Sequence, residues 1–356
     1  MHRSESWRAC AISSRVFPLV ALLLAGCNEL EQSIAPNQSD LDRVAGILGQ
    51  PPEKLVPNPF SRVGPPRIRL SETRIRFANA LELAECGLLP LIAERNSSLG
   101  KQKQESSRLI YEWKVRAGLS RCSELQDKEW FQLAVNAKQH DVEAAVVELL
   151  TNSEEADRIH TKVSPPFKTL NESTSVYTRT TINILRTLTS ALSNADTADE
   201  STISDFEGSL KEWGGTQHHG TLHKAIGQTL SWVSSANRIQ ETAIRSGRLC
   251  PMGTPTEQGR NLQAFMQGFF KNTLQPKISS LSRALESLDR QWSVLLLTRI
   301  SHDELIDALL RLPAGTRNEL SLVIKLHVDQ WQRLLQGCNL APRAETTNSK
   351  KPSRSS

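Results

Sequence analysis

Leu274-Gln275-Pro276-Lys277-Ile278-Ser279-Ser280-Leu281-Ser282-Arg283-Ala284-Leu285-Glu286-Ser287-Leu288-Asp289-Arg290-Gln291-Trp292 is the most regular stretch of the chain. Its apolar residues Leu274, Ile278, Leu281, Leu285, Leu288 and Trp292 recur at intervals of four, three, four, three and four. A 3.5-residue repeat draws a narrow apolar seam along a helix and packs against antiparallel neighbours. Pro276 cannot donate to the helix ladder, so a kink is expected upstream of the seam.

The same periodicity extends outward in both directions. Trp130 to Leu150 spaces Phe131, Val135, Val142, Ala145 and Leu149 for one helical face. Leu170 to Leu192 sets Tyr177, Ile184, Leu185, Leu188 and Leu192 on one side. Its many threonines lose side-chain entropy in a helix, so its helicity depends on packing. Phe206 to Trp213 reads as a short helix ended by Gly214-Gly215. Leu222 to Arg245 reads as a long one, with Gly247 beyond its end. Ser301 can cap a helix through Asp303 and Glu304 to Leu312, and Arg317 to Gln336 forms the last. Aromatic residues are only 5% of the chain, and no alternating strand pattern is present. The fold class is therefore all-α: an antiparallel bundle of long and short helices over 68–340.

The first 67 residues read differently. Arg3, Arg8 and Arg15 form a basic start, and Val16 to Leu24 is a nine-residue apolar run interrupted by Pro18. Spanning a bilayer takes about 20 residues, so this run fits a signal segment instead. It ends in Leu24-Ala25-Gly26-Cys27, which resembles the lipobox of bacterial lipoproteins. The resemblance implies cleavage between Gly26 and Cys27, removal of 1–26, and acyl chains such as palmitate on Cys27. By the sorting rules of Gram-negative lipoproteins, Asn28 points to the outer membrane, with the body facing the periplasm. Residues 27–67 then read as a tether, since seven of the 17 prolines lie from Pro36 to Pro66. Leu41, Val44, Ile47 and Leu48 allow a brief helix there. The alternative is an ordered strap along the body, anchored by Leu55 and Phe60.

A family resemblance rests on Cys86 to Leu119. Its Leu91-Ile92-Ala93-Glu94-Arg95-Asn96-Ser97-Ser98-Leu99-Gly100 core is followed by Leu109-Ile110-Tyr111-Glu112. Leu249-Cys250-Pro251 and Gln275-Pro276 form a second matching part. These stretches resemble an uncharacterised bacterial lipoprotein family known as domain of unknown function 3080. The resemblance implies a lipoprotein signal and no established activity, so no catalytic residue follows from it.

The formal charge is +5. The leader carries part of this excess. The tail 341–356, which reads as disordered and basic, carries most of the rest. The nearly neutral body has no basic patch of the kind nucleic-acid binding needs. Cys86, Cys122, Cys250 and Cys338 remain after maturation. In an oxidising compartment they allow two disulfides in three connectivities. Sequence position favours Cys86–Cys122 and Cys250–Cys338; four buried thiols are the alternative.

Few residues point to chemistry. His219 and His223 are four apart, the spacing of paired metal ligands on a helix. With His218 they follow Gly214-Gly215, and a solvated loop entering a helix accounts for them, so no metal and no cofactor are expected. Ser301-His302-Asp303 has the residue types of a triad, but adjacency is not triad geometry. His327 reads as a hydrogen-bonded core histidine. Glu94-Arg95-Asn96 is the most informative polar stretch. It reads as a structural ion-pair network or as part of a cleft for an anionic or glycan ligand. The leading expectation is a lipid-anchored envelope protein that binds an envelope protein partner or serves a structural role. The alternative is a periplasmic hydrolase acting on envelope glycans, with Glu94 as acid or base.

Overall fold

The computed structural model describes residues 35–56, 61–70, 76–98, 104–161, 170–193 and 199–340. The leader with Gly26 and Cys27, Phe60, Gly100 and the tail 341–356 lie outside the described residues. The described residues form helices and no strand. In order these are α1 (Gln38–Ile47), α2 (Phe77–Glu82), α3 (Leu89–Asn96) and α4 (Glu105–Arg121). Next come α5 (Glu129–Asn152), α6 (Glu154–Thr161), α7 (Leu170–Leu192), α8 (Glu200–Gly215) and α9 (His218–Ser246). The last are α10 (Glu257–Phe265), α11 (Gln275–Trp292), α12 (His302–Leu310) and α13 (Thr316–Gly337). None of the described helices is long and apolar enough to cross a membrane.

The seam helix α11 is present, but it is not the centre of the bundle. That place belongs to α9, which packs against α1, α6, α7, α11, α12 and α13. It is buried along most of its length, from His218 to Ala243. A helix buried on several faces needs small residues where neighbours cross closely. Gly220 meets this need: a Cβ there would lie 2.5 Å from the His160 carbonyl oxygen. Gly247 closes α9 with φ at +60°, the left-handed turn glycine adopts without strain. Before Pro276 the helical winding changes, where a disturbance was expected. Met266–Leu274 winds as a π-helix, and the Gln275 N–H donates to the Phe270 carbonyl, five residues back. This wider winding absorbs the disturbance that proline imposes.

The core has three parts. The largest joins α4 to α9 with the C-terminal half of α11, α12 and the start of α13, around Trp113, Tyr177, Trp213 and Trp292. A second joins α1 to the far half of α9, the π-helical stretch and α13, around Trp232 and Trp331. The third joins α2 and α3 to α4 and the start of α5, around Leu119 and Phe131. Each smaller core holds one disulfide. Cys86–Cys122 closes the third, with Cα atoms 5.3 Å apart, and Cys250–Cys338 closes the second at 5.1 Å. By loop entropy alone each stabilises by about 4 kcal/mol.

The tether reading needs correction from residue 35 onward. Leu41, Val44 and Ala45 are fully buried in α1, which an Asn37–Asp40 capping box starts, and Ala35 and Leu48 are buried on either side of it. The Lys277 ammonium donates to the buried Asp40 carboxylate at 2.6 Å, tying α1 to α11. Further along, the Leu55 N–H donates to Gln38 Oε1 at 2.8 Å. Arg62 donates to the His160 carbonyl at 2.7 Å, and the Asn152 amide donates to the Pro66 carbonyl at 3.1 Å. The prolines flank α1 and never interrupt it, so its apolar face buries intact. Among the described residues this segment is an ordered strap, as Leu55 indicated.

Candidate functional site

The strap residues 67–70 wall one side of an open cleft of about 640 Å³. Arg95 of α3, Glu105 and Arg108 of α4, and Ala145 and Glu148 of α5 complete it, with Arg67 and Arg69 on the strap. Helical spacing sets these side chains together. Glu105, Arg108 and Glu112 lie three and four apart on α4, and Lys138, Asp141, Ala145 and Glu148 lie three, four and three apart on α5. Each row forms one face, and α4 packs directly on α5.

Behind the cleft the cations are held by two fully buried carboxylates, Glu112 and Asp141. Glu112 forms an ion pair with Arg108 at 2.6 Å and accepts from Lys138 at 2.8 Å, and Lys138 also donates to Asp141 at 2.9 Å. Burying such charges is costly unless they are paired and hydrogen-bonded, so this network positions Arg108 and Lys138 firmly. Burial opposes the Lys138 charge, but the two carboxylates outweigh it and raise its pKa. The Tyr111 ring lies among three cations, 5.9 Å from Arg95, 5.8 Å from Arg108 and 5.9 Å from Lys138. Burial pushes its hydroxyl up. Arg95 is lowered by burial and then by the neighbouring Arg108 charge. Glu148 is raised, chiefly by burial, although the Ile68 N–H donates to it at 2.6 Å.

Of the three residues singled out from the sequence, Arg95 lines the cleft. Glu94 and Asn96 are exposed and are not among its lining residues. The carboxylates of the cleft are Glu105 and Glu148, so the acid-base expectation for Glu94 is corrected. The Glu105-Arg108-Glu112 spacing was the available signal for α4. Nothing local linked it to Arg67 or Glu148, which are far apart in sequence and meet through the strap.

The histidine cluster also needs correction. His218, His219 and His223 are buried, and α9 begins at His218; no solvated loop runs there. Tyr177 stacks on His218 with ring centroids 3.9 Å apart. The Trp292 Nε1–H donates to the Tyr177 hydroxyl at 3.1 Å, and that hydroxyl pairs with His219 Nε2 at 2.9 Å. His160 lies beside His219, with centroids 5.5 Å apart. Burial lowers His160 to about 3 and His218 to about 4, takes His219 well below its usual value, and lifts Tyr177 to about 12. Among the described residues, Cys86, Cys122 and Glu124 have ligand atoms within 4.8 Å of one another. Those cysteines are disulfide partners, and the histidines do not converge in this way.

The remaining expectations fall on structural roles. Ser301 caps α12 through a capping box with Glu304. His327 pairs through Nδ1 with Asn237 Oδ1 at 3.1 Å and accepts from the Trp331 indole at 3.0 Å.

Fold and site together define, among the described residues, an all-α body with two disulfides and an arginine-rich cleft. The chain belongs to the family described as protein of unknown function (DUF3080), whose model matches residues 37–342. That span includes the strap and ends with the body. No curated protein and no solved structure matches the chain.

Proposed function

We propose that this protein is a lipid-anchored outer-membrane protein facing the periplasm, and that its helical body acts by binding. The anchor rests on Leu24-Ala25-Gly26-Cys27 and Asn28. The binding role rests on the cleft: Arg67, Arg69, Arg95 and Arg108 line it, and Arg108 is backed by the buried Glu112, an arrangement that holds an anionic ligand by charge. The partner is a component of the envelope that bears the complementary charge. The test combines palmitate labelling in cells with in-cell crosslinking. Label should enter the wild-type protein and disappear in Cys27→Ser, and crosslinking should capture a near-stoichiometric envelope component. An unlabelled protein in the soluble fraction would overturn the anchor; a labelled protein that captures nothing would overturn the binding role.

Glu148 favours a second reading. Its carboxyl is raised by burial and feels Glu105 beside it, as a general acid acting on envelope glycans would require. A hydrolase would release reducing ends from purified envelope glycan, and Glu148→Gln would lower the rate about a hundredfold. No release by the wild-type protein would remove this reading.

A further inference from the structure

We propose that the cleft between strap residues 67–70 and helices α3, α4 and α5 is a binding site for a phosphate-class oxyanion. The inference rests on the binding role above and names the chemistry of its ligand. Four guanidinium groups, Arg67, Arg69, Arg95 and Arg108, line the cleft against two carboxylates, Glu105 and Glu148. Glu148 is already engaged, accepting the Ile68 N–H at 2.6 Å. Arginine forks match phosphate oxygens in pairs, and several forks in one concavity suit an anion of more than one charge.

The supporting network strengthens the case. Arg108 is fixed through one terminal nitrogen by Glu112. The Arg108 side chain keeps 23% of its surface exposed, and it lines the cleft, so its accessible guanidinium edge is what a ligand oxygen would meet. Burial and then the neighbouring Arg108 disfavour the Arg95 charge, and an anion beside both would offset these effects. Arg67 and Arg69 are exposed, and they can close onto a ligand without disturbing the core. The cleft is wide enough for a phosphorylated headgroup or a phosphorylated sugar.

The ligand phosphate could be carried on a lipid headgroup or on a soluble molecule, and the experiment separates these sources. Mature, lipidated protein in nonionic detergent is titrated calorimetrically with pyrophosphate at constant ionic strength. Arg67→Ala with Arg69→Ala should weaken binding about tenfold or more, with an unchanged melting temperature. Hydrogen exchange at the Ile68 amide should slow when pyrophosphate binds, because that amide is part of the cleft wall. Micelles doped with anionic phospholipid, compared with zwitterionic ones, are then tested as competitors. Competition supports the proposal with a headgroup as the source; its absence, with pyrophosphate still bound, supports it with a soluble source. No pyrophosphate binding, or equal binding by the double variant, overturns the proposal. Labelling of Cys27 and crosslinking in cells would be unaffected by that failure, so the two conclusions fall separately.

Discussion

Between pH 6.5 and pH 4 the protein is expected to lose a large part of its stability. His160, His218, His219 and His327 are buried and neutral in the folded body, with His160 and His327 lowered to about 3 and His218 to about 4. In the unfolded chain each titrates near the ordinary value of about 6.5. Below that pH the unfolded state binds protons that the folded state refuses, so stability is complete above about pH 6.5 and falls as the pH drops towards the folded values. At pH 5 His160, His218 and His327 each cost about 2 kcal/mol, about 6 kcal/mol together, and His219 adds to this in the same direction. A domain of this kind is typically stable by about 5–15 kcal/mol. Urea denaturation at pH 7.5, 6, 5 and 4.5 should show the midpoint falling steeply, with three to four protons (roughly) taken up on unfolding. A midpoint that stays level from pH 7.5 to 5 would contradict the neutral, buried state of these side chains.

Lys277→Met is expected to destabilise the protein by about 3–5 kcal/mol. The Lys277–Asp40 pair is almost fully buried, and its partners come from α11 and α1. Removing the ammonium leaves the Asp40 carboxylate buried beside an apolar side chain, with the capping Asn37 N–H as its remaining donor at 2.9 Å. The strap should loosen before the rest unfolds, because α1 is held otherwise by Leu41, Val44 and Leu48 against Trp232 and its neighbours. Combining Lys277→Met with Asp40→Asn removes the stranded charge and should restore most of the loss. Calorimetry measures the total. Hydrogen exchange across 38–48 reports whether the strap opens first. Equal melting temperatures for wild type and Lys277→Met would show that the pair does not hold α1 in place.

Much of the helical layout was legible because its signals are local. The seam at 274–292 became α11, Ser301 with Glu304 made a capping box, and Gly247 ended α9 where a left-handed residue was needed. The strap was harder to read. Proline density argued for a linker, but the five apolar residues of 41–48 sit between the prolines and suffice to bury one face of a ten-residue helix. The histidines misled for a related reason. His218, His219 and His223 are polar by composition, and only the packing of α6, α7 and α12 around the start of α9, with Trp213 of α8 against His219, removes them from water. The candidate site was legible in one residue, Arg95. Arg67 and Glu148 join it through contacts between distant parts of the chain, which no periodicity reports.

By itself, the sequence determined the helical class, most helix limits and the disulfide pairing favoured by cysteine position. Those depend on spacing, caps and turn residues within a few positions of one another. Tertiary structure alone decided that α9, rather than the strongest seam, is the hub. The reason is that α9 is rich in small and polar residues, whose burial depends on close-packed neighbours and on hydrogen bonds made across to them. Asn237 donates to the Val323 carbonyl at 3.0 Å, and His223 Nδ1 lies 2.9 Å from the Leu310 carbonyl, both across to other parts of the chain. The cleft has the same origin: charges that read singly as solvated become a site when the strap and three helices bring them to one concavity.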